Sequence, residues 1–212
     1  MKTHLVTGAG SGIGADLADR LEQRGDQVLR LTREVVDLAD APAVHAWVEG
    51  YAASIERLDA LHHVAGAVEL STVADLDLAD WQRQLAVNLS APAVLTAALL
   101  PALRAARGTV IFVNSSAGLV ANATWSAYAA SKFGLRALAD SLRAEEAERG
   151  VRVTTIFPSR TATPMQEKVH EQEGRTYDAN RWIQPGTVTD AILHVLDLPA
   201  DATVPELTLR PR

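Results

Sequence analysis

Residues 7–14 read Thr-Gly-Ala-Gly-Ser-Gly-Ile-Gly, and this glycine-rich stretch decides how the rest of the chain is interpreted. It follows a short apolar run, His4–Val6, that predicts a strand, and it opens a run with helical apolar spacing, Ile13–Arg24. Backbone N–H groups at a helix N-terminus that no side chain covers form an anion site suited to a pyrophosphate. The spacing G-x-x-x-G-x-G differs from the commoner G-x-G-x-x-G, so a turn that only allows close helix packing stays open as the alternative.

Short β-rich runs alternate with longer helical runs along the rest of the chain. The predicted strands are Gln27–Thr32, Ala60–Val64, Thr109–Val113, Val151–Phe157 and Val204–Leu209. The predicted helices are Ala41–Ile55, Leu78–Leu103, Ser126–Arg149 and Thr187–Leu196. This alternation predicts an α/β fold, with a doubly wound parallel sheet and helices on both faces, in a single domain spanning residues 1–212.

One connection is too short for the usual crossover. Only a few residues separate the end of the second strand near Thr32 from Val35–Asp37, whereas a parallel crossover needs about a dozen residues. We therefore expect Val35–Asp37 to be a short extended link, and the crossover helix between strands 2 and 3 to be absent.

Composition excludes several kinds of site. The 212 residues include no cysteine, which rules out disulfides, a thiolate nucleophile, zinc–cysteine sites and iron–sulfur clusters. His62 and His63 are adjacent on a predicted strand and point to opposite faces, so they make a poor metal pair, and no metal site is predicted. The formal net charge of −6 argues against binding nucleic acid through bulk positive charge.

The run Gln84–Leu103 carries no charged residue and is long enough to suggest a membrane span. It contains polar residues and prolines, among them Asn88 and Pro92, and an interior proline removes a backbone donor. A buried or interface helix, irregular near Pro92, is therefore the favoured interpretation. We expect a cytoplasmic protein with no membrane partner.

Three polar side chains suggest proton-transfer chemistry. Tyr128 and Lys132 lie four residues apart on a predicted helix, so they share one face. An ammonium there is expected to lower the tyrosine pKa and let the phenol exchange a proton with a carbonyl oxygen. Ser115 follows the Thr109–Val113 strand, at the edge of the sheet where ligands bind, and its hydroxyl could hold the same oxygen. An exposed Tyr-x-x-x-Lys pair without function is the alternative.

Taken together, these motifs resemble the short-chain dehydrogenase/reductase family, whose fold is of the Rossmann type. The matching motifs run in order through nearly the whole chain: TGAGSGIG at 7–14, AG at 65–66, Asn88, Ser115 in NSSAG, YAASK at 128–132 and FPSRTATPM at 157–165. The resemblance implies hydride transfer between a nicotinamide cofactor and a carbonyl or alcohol.

The resemblance also implies a catalytic tetrad. Tyr128 would be the general acid/base, and Ser115 would orient and polarise the carbonyl. Lys132 would bind the nicotinamide ribose and lower the Tyr128 pKa, and Asn88 would help hold a water of the proton relay. The implied cofactor-binding residues are Gly8, Ser11, Gly12, Ile13, Gly14, Arg33, Asp37, Leu38, Ala65, Gly66, Tyr128, Lys132, Pro158, Thr161 and Thr163.

The end of the second strand favours NADP(H) over NAD(H). In this family an acidic residue there selects NAD, but this strand ends Leu31-Thr32-Arg33. Arg33 could meet a 2′-phosphate with a bidentate fork, although Glu34 beside it could oppose a phosphate. A solvent-exposed arginine without function is the alternative.

The sequence departs from the family pattern where His63 replaces the first asparagine of NNAG and Ser159 replaces the glycine of PG. Substrate contacts are expected from Trp125 and from a lid over Met165–Trp182, in which Trp182 could close the site. The shortness of this lid favours a small or medium carbonyl compound.

Two other functions are alternatives for this chain. A catalytically silent nucleotide sensor or scaffold is the main alternative, and the intact tetrad argues against it. A sugar-nucleotide epimerase or dehydratase would require a further substrate domain. The resemblance also implies a homodimer or homotetramer packed through the helices at 78–103 and 126–149.

Overall fold

Strands and helices alternate along the chain in the computed structural model, which describes all residues from Met1 to Arg212. The strands are β1 (Thr3–Thr7), β2 (Gln27–Leu31), β3 (Ala60–His63), β4 (Thr109–Val113), β5 (Arg152–Pro158) and β6 (Glu206–Leu209). The α-helices are α1 (Gly12–Gln23), α2 (Ala41–Gly50), α3 (Leu78–Leu85), α4 (Ala91–Ala106), α5 (Ser126–Glu146), α6 (Pro164–Gln172) and α7 (Pro185–Leu196). The six strands are all parallel, in the order β2-β1-β3-β4-β5-β6, which confirms the predicted doubly wound sheet.

Helices cover both faces of this sheet. Successive strand residues point to opposite faces, so Leu5 of β1 joins the core with α2, α4 and α5, whereas Val6 joins the core with α1 and α7. Every residue of β4 is buried, as expected for a central strand covered on both sides. The two cores hold the sheet rigid and leave the carboxyl ends of its strands free to form a site.

The segment after β2 contains no helix before α2, as predicted. Residues 33–35 form a turn, and Val35–Asp37 pairs with no strand. The next strand is β3, and α2 provides the crossover from β2 to it. The absence of a helix between β2 and Val35–Asp37 is as expected. The expectation that strands 2 and 3 lack a crossover helix is wrong, because Val35–Asp37 is not a strand and α2 joins β2 to β3.

The uncharged run Gln84–Leu103 lies within a nearly continuous helix, Leu78–Ala106, and this helix has the length and composition of a membrane span. The protein itself buries 44% of its most apolar window, and the buried residues include the polar Asn88 and Thr96. A π-helical stretch, Ala86–Ser90, joins α3 to α4, so the irregularity lies just before Pro92. Pro92 is the second residue of α4, and its missing N–H interrupts the backbone hydrogen bonds at the point where the π-helical stretch ends.

The predicted lid over Met165–Trp182 contains a helix that sequence reasoning missed. Thr163 caps the N-terminus of α6, where its hydroxyl accepts a hydrogen bond from the Gln166 N–H, and Pro164 follows at the first helical position. A threonine cap followed by proline is a helix-start signal, so the pair Thr163-Pro164 could have revealed α6. Polar residues along the helix hid its apolar face.

Candidate active site

A cleft of about 1470 Å³ opens at the carboxyl ends of the strands. The order of strands reverses on either side of β1, since β2 lies on one side and β3 on the other, and such switch points are where open parallel sheets bind ligands. All fifteen residues predicted to bind the cofactor line this one cleft. So do Ser115 and Trp125, whereas Asn88 lies behind its wall.

The glycine-rich turn between β1 and α1 forms one end of the cleft. Gly8 has a φ of +70°, and a Cβ there would lie 2.7 Å from the Ala65 Cα. A Cβ on Gly14 would overlap the carbonyl oxygen of Gly8. Ser11 precedes α1 without capping it, and no acidic residue occupies the first turn of the helix. The open N-terminus of α1 therefore fits an anionic group such as a pyrophosphate.

The Thr7 side chain holds this end of the cleft together, a role that the glycine motif alone does not predict. Its hydroxyl oxygen accepts hydrogen bonds from the Val64 and Ala65 N–H groups at 3.0 and 3.1 Å. The same hydroxyl donates to the His62 carbonyl at 3.3 Å. These bonds hold the start of the loop after β3 beside the glycine turn, which brings Ala65 and Gly66 to the cleft.

The loop after β5 faces the glycine turn across the cleft. Thr161 donates from its hydroxyl to the Ser159 carbonyl at 3.0 Å, and Thr163 donates to the Thr161 carbonyl at 3.3 Å. A Cβ on Gly12 would lie 3.0 Å from the Thr163 Cγ2. Pro158 ends β5 at the same rim. These contacts leave a narrow slot between the first turn of α1 and the first turn of α6.

The residues after β2 line the far corner of the cleft. Arg33 is exposed there and makes no ion pair. The Thr32 hydroxyl lowers the pKa of the neighbouring Glu34, with a smaller contribution from the Arg33 charge. Asp37 accepts a hydrogen bond from the Ala39 N–H at 2.9 Å, and Leu38 is buried in the core beneath it. One cation and two carboxylates therefore border this corner.

Ser115, Tyr128 and Lys132 form the wall of the cleft beside β4. The N-terminal half of α5 carries Tyr128 and Lys132, both of them buried, on one face. The Lys132 ammonium donates to the Val113 carbonyl at 3.1 Å, and its Nζ lies 5.7 Å from the centre of the Tyr128 ring. Ser115 follows β4 and accepts a hydrogen bond from the Ala117 N–H at 3.1 Å.

The pKa of Tyr128 moves in the direction opposite to the predicted one. Burial raises the pKa of the phenol to about 12, although the adjacent Ser115 hydroxyl acts against this rise. Burial also lowers the pKa of Lys132 to about 8. The i, i+4 spacing placed both groups on one face, as expected, but it could not reveal that both are buried. In addition, the ammonium donates to a backbone carbonyl instead of the phenol.

Asn88 lies within the π-helical stretch and is completely buried. Its amide oxygen accepts from the Ala67 N–H at 2.8 Å, and its amide nitrogen donates to the Ala67 carbonyl at 2.8 Å and to the Ser131 hydroxyl at 2.9 Å. The Asn88 side chain therefore joins the loop after β3 to α5, directly behind the wall that carries Tyr128 and Lys132.

Asn114 is a second buried amide, and sequence reasoning missed it. Its side chain accepts from the Ser115 N–H at 2.8 Å and donates to the Lys132 carbonyl at 3.0 Å. It thereby fixes the backbone of Ser115 relative to α5. The available signal was the position of Asn114 between the last residue of β4 and Ser115.

The substrate end of the cleft combines apolar and aromatic groups. Tyr128 belongs to a small apolar cluster with Val68, Ala117 and Val169, and Trp125 and Met165 pack against it. The Trp125 ring meets the Tyr128 ring edge-on, with 5.6 Å between centroids.

Trp182 does not line this cleft, so the expectation that it closes the lid is wrong. It packs instead against His170 of α6, with ring centroids 5.3 Å apart. His63 points away from the cleft region: its Nε2 lies 2.8 Å from the Thr96 hydroxyl, and its ring stacks on Phe112.

A protein-family model described as short chain dehydrogenase matches residues 34–174, which is about two thirds of the chain. D-threitol dehydrogenase of Mycolicibacterium smegmatis is 34% identical over 189 residues, which span 79% of this chain and 73% of that protein. A short-chain dehydrogenase of Escherichia coli CFT073, solved in complex with NADPH, superposes with a TM-score of 0.87 at 28% identity. That alignment covers 99% of this chain and 97% of the other.

4-Hydroxyisoleucine dehydrogenase, solved with NADH, shares the fold with a TM-score of 0.86 at 21% identity, and the alignment covers 100% of this chain and 98% of that one. Known relatives of this fold have thus been solved with either form of the nicotinamide dinucleotide. Together with the motif order and the cleft, these matches show that the chain belongs to the short-chain dehydrogenase/reductase family of NAD(P)-dependent enzymes acting on alcohol and carbonyl groups.

Proposed function

We propose that this enzyme transfers a hydride between NADP(H) and a small-molecule carbonyl or alcohol, with Tyr128 as the general acid/base. One observation carries the proposal: Ser115, Tyr128 and Lys132 line the same cleft whose other end is the open N-terminus of α1. A proton-transfer group and an anion site at opposite ends of one cleft suit a substrate at the first and a dinucleotide at the second.

The nicotinamide group, when bound, supplies or accepts the hydride. Tyr128 is protonated at neutral pH, because the ordinary pKa of a phenol already lies well above neutrality and burial raises it further, so it donates a proton to the carbonyl oxygen during reduction. In the reverse direction it takes the proton from the alcohol. The Ser115 hydroxyl donates to the same oxygen and holds it in place.

The rest of the chain positions this pair. Lys132 would hold the nicotinamide ribose and, through its charge, favour loss of the Tyr128 proton. Asn88 would act beyond Tyr128 by helping to hold a water of the proton relay. The fifteen cleft residues predicted to bind the cofactor would hold its pyrophosphate, riboses and carboxamide.

The variant Tyr128→Phe tests the mechanism. It removes the phenolic hydroxyl and keeps the ring, so we expect turnover to fall by about 10²- to 10⁴-fold, the usual value of a general acid/base. Binding of NADPH, followed by its fluorescence, should stay close to that of the parent. Tyr51→Phe, at an exposed tyrosine after α2, is the matched control and should leave turnover intact. Turnover by Tyr128→Phe at the parent rate would refute the assignment.

Arg33 supports the preference for NADP(H), because it is an unpaired cation at the corner of the cleft beyond β2. A charge-assisted hydrogen bond to the 2′-phosphate from an exposed arginine should contribute about tenfold in affinity. We therefore expect Arg33→Ala to weaken NADPH binding by that factor and to leave NADH binding nearly unchanged. Tighter binding of NADH than of NADPH by the parent protein would contradict the preference.

The proposal also includes the domain organisation, the cellular location and the oligomeric state of the protein. We infer one dinucleotide-binding domain over residues 1–212, a cytoplasmic location and a homodimer or homotetramer. The helices at 78–103 and 126–149 leave small or apolar residues exposed, including Ala97, Ala130, Phe133 and Ala137. Analytical ultracentrifugation of the parent and of Ala137→Arg tests this surface, since a bulky charge there should dissociate the oligomer.

A further inference from the structure

The substrate end of the cleft contains an arginine that is already paired with a carboxylate of the protein. Arg160 follows β5 and lines the cleft. Its two terminal nitrogens donate to the two carboxylate oxygens of Glu173 at 2.9 and 2.6 Å. Its guanidinium carbon lies 5.9 Å from the centre of the Trp125 ring and 5.5 Å from that of Trp182, within cation–π range. Arg160 therefore already has a bidentate anionic partner and two aromatic neighbours.

This ion pair lies close to the proposed reaction centre. The Trp125 ring contacts Arg160 and also meets the Tyr128 ring at 5.6 Å. Only one aromatic side chain thus separates the ion pair from the proposed general acid/base. The side chains of Arg160 and Glu173 are 24% and 14% exposed, so water screens their charges only partly.

Few other charges face this end. Apart from Lys132, which lies beside Tyr128, the charged residues that line this end of the cleft are Arg160, Glu173 and Arg175. Arg175 is 68% exposed and its Nη1 lies 3.8 Å from the Glu173 carboxylate, so it sits at the solvated rim. The remaining walls are apolar or uncharged, and they include Val68, Leu70, Met165, Gln166, Val169 and Gln172.

We infer that Glu173 determines substrate specificity: by matching the charge of Arg160, it makes the site selective for carbonyl and alcohol substrates that carry no carboxylate or phosphate near the reacting carbon. A substrate anion placed here would lie beside the Glu173 carboxylate, or in contact with apolar walls without a partner of its own. Removing the charge of Glu173 would free the guanidinium for a bidentate bond to a carboxylate. The inference rests on the proposed function and names the substrate class of that site.

Binding of benzoate and benzamide tests the inference without turnover. The two molecules have nearly the same shape and differ in charge, and quenching of tryptophan fluorescence reports binding beside Trp125. We expect Glu173→Gln to shift the ratio of benzoate to benzamide affinity towards benzoate by about tenfold or more, the value of one charge-assisted contact. An unchanged ratio in a folded Glu173→Gln protein would overturn the inference.

Control variants separate Arg160 from its neighbours. Glu171→Gln removes the same charge from an exposed position on α6 and should leave the ratio unchanged. Adding Arg160→Gln to Glu173→Gln should abolish the gain in benzoate binding, whereas adding Arg175→Gln should preserve it. The opposite result would assign the anion binding to Arg175 and would refute the role of Arg160.

Arg160→Met keeps the inference testable if Glu173→Gln fails to fold. This variant leaves the Glu173 carboxylate unmatched, so the parent's preference for benzamide over benzoate should increase. A preference that stays the same, or that reverses, would contradict the inference.

Turnover distinguishes this inference from the proposed function. We expect the parent to reduce methyl benzoylformate with a higher kcat/KM than benzoylformate, and Glu173→Gln to narrow that difference mainly through KM. A parent that reduces neither compound nor any other carbonyl would refute the proposed function, while the binding ratio still decides the role of Glu173. A parent that prefers benzoylformate to its ester would overturn the inference alone.

Discussion

The loop that follows β3 is held by an amide side chain on each of two sides, and the surroundings of the two amides differ. Asn88 is completely buried and bonds the Ala67 backbone and Ser131. Gln172, at the end of α6, is half-buried; its side chain accepts from the Leu70 N–H at 3.1 Å and donates to the Glu69 carboxylate. The wall that carries Ser115, Tyr128 and Lys132 is thus fixed from inside the core, whereas the predicted lid is attached by partly exposed contacts.

The wall and the lid therefore differ in the kind of contact that holds them in place. The wall that carries Ser115, Tyr128 and Lys132 is supported by uncharged hydrogen bonds of two buried amide side chains, Asn88 and Asn114. The lid is joined to its surroundings by ion pairs such as Arg160–Glu173 and Lys168–Glu69, which are partly exposed. If the proposed roles hold, the chemical step depends on the wall with buried supports, and substrate choice depends on the lid with partly exposed ones.

The largest test of this contrast is Asn88→Ala. The substitution leaves the Ala67 N–H and C=O groups without their partner, and unpaired buried groups cost about 1–3 kcal/mol each. It also removes the bond that the Ser131 hydroxyl accepts, although that hydroxyl still donates to the Tyr128 carbonyl at 2.7 Å. We expect the free energy of unfolding to fall by about 2–5 kcal/mol in urea denaturation, because part of the loss is relieved by rearrangement. Asn122→Ala, at an exposed asparagine that lines the cleft, is the control and should change stability by less than about 0.5 kcal/mol. A small effect at Asn88 would mean that the wall is not supported from the core.

A second test measures how acid changes the stability of the protein on the side of the cleft that carries Ser115, Tyr128 and Lys132. His63 lies in β3 beneath the wall, and burial lowers its pKa to about 3. Between the unfolded-state pKa of about 6.5 and this value, the unfolded chain binds the proton that the folded protein excludes, so stability falls as the pH falls. At pH 5 the cost amounts to about 2 kcal/mol.

The variant His63→Asn should remove that cost. We expect the loss of stability between pH 7 and pH 5 to be smaller than in the parent by about 2 kcal/mol, whatever the absolute stability of the variant. Urea denaturation at the two pH values measures this difference. His45→Asn, at an exposed histidine of α2, should retain the pH dependence of the parent. Equal pH dependence in His63→Asn and the parent would show that His63 is not held neutral.

The wall was also the side that could be predicted from sequence. The glycine turn, Ser115 and the Tyr128–Lys132 pair belong to short motifs whose spacing determines their geometry, and the structure brings them to one cleft. The π-helical stretch around Asn88 and the role of Asn114 were not predicted, because they depend on contacts between segments distant in sequence. The pKa of Tyr128 was predicted in the wrong direction because spacing does not reveal burial.

The lid was predicted poorly for a related reason. Arg160 and Glu173 lie on different elements, and no local motif pairs them. Trp182 was expected in the cleft because it ends the polar segment after Met165, yet its ring packs against His170 of α6. In this region side-chain charge and shape decide the packing, and many sequences give the same local pattern. The inferred specificity residues therefore lie where sequence patterns are least informative.

Gln172→Ala gives the smallest expected effect and sharpens the contrast most directly. Its bonds lie at a half-buried site where water can replace them, so we expect the free energy of unfolding to fall by less than about 1 kcal/mol. Loosening the attachment of α6 to Leu70 should instead raise KM by about threefold while kcat stays near the parent value, because the catalytic wall is untouched. Steady-state kinetics and urea denaturation of the same preparation measure both quantities. A loss of stability as large as that of Asn88→Ala would show that the lid is as firmly built as the wall, and an unchanged KM would show that its attachment does not influence substrate binding.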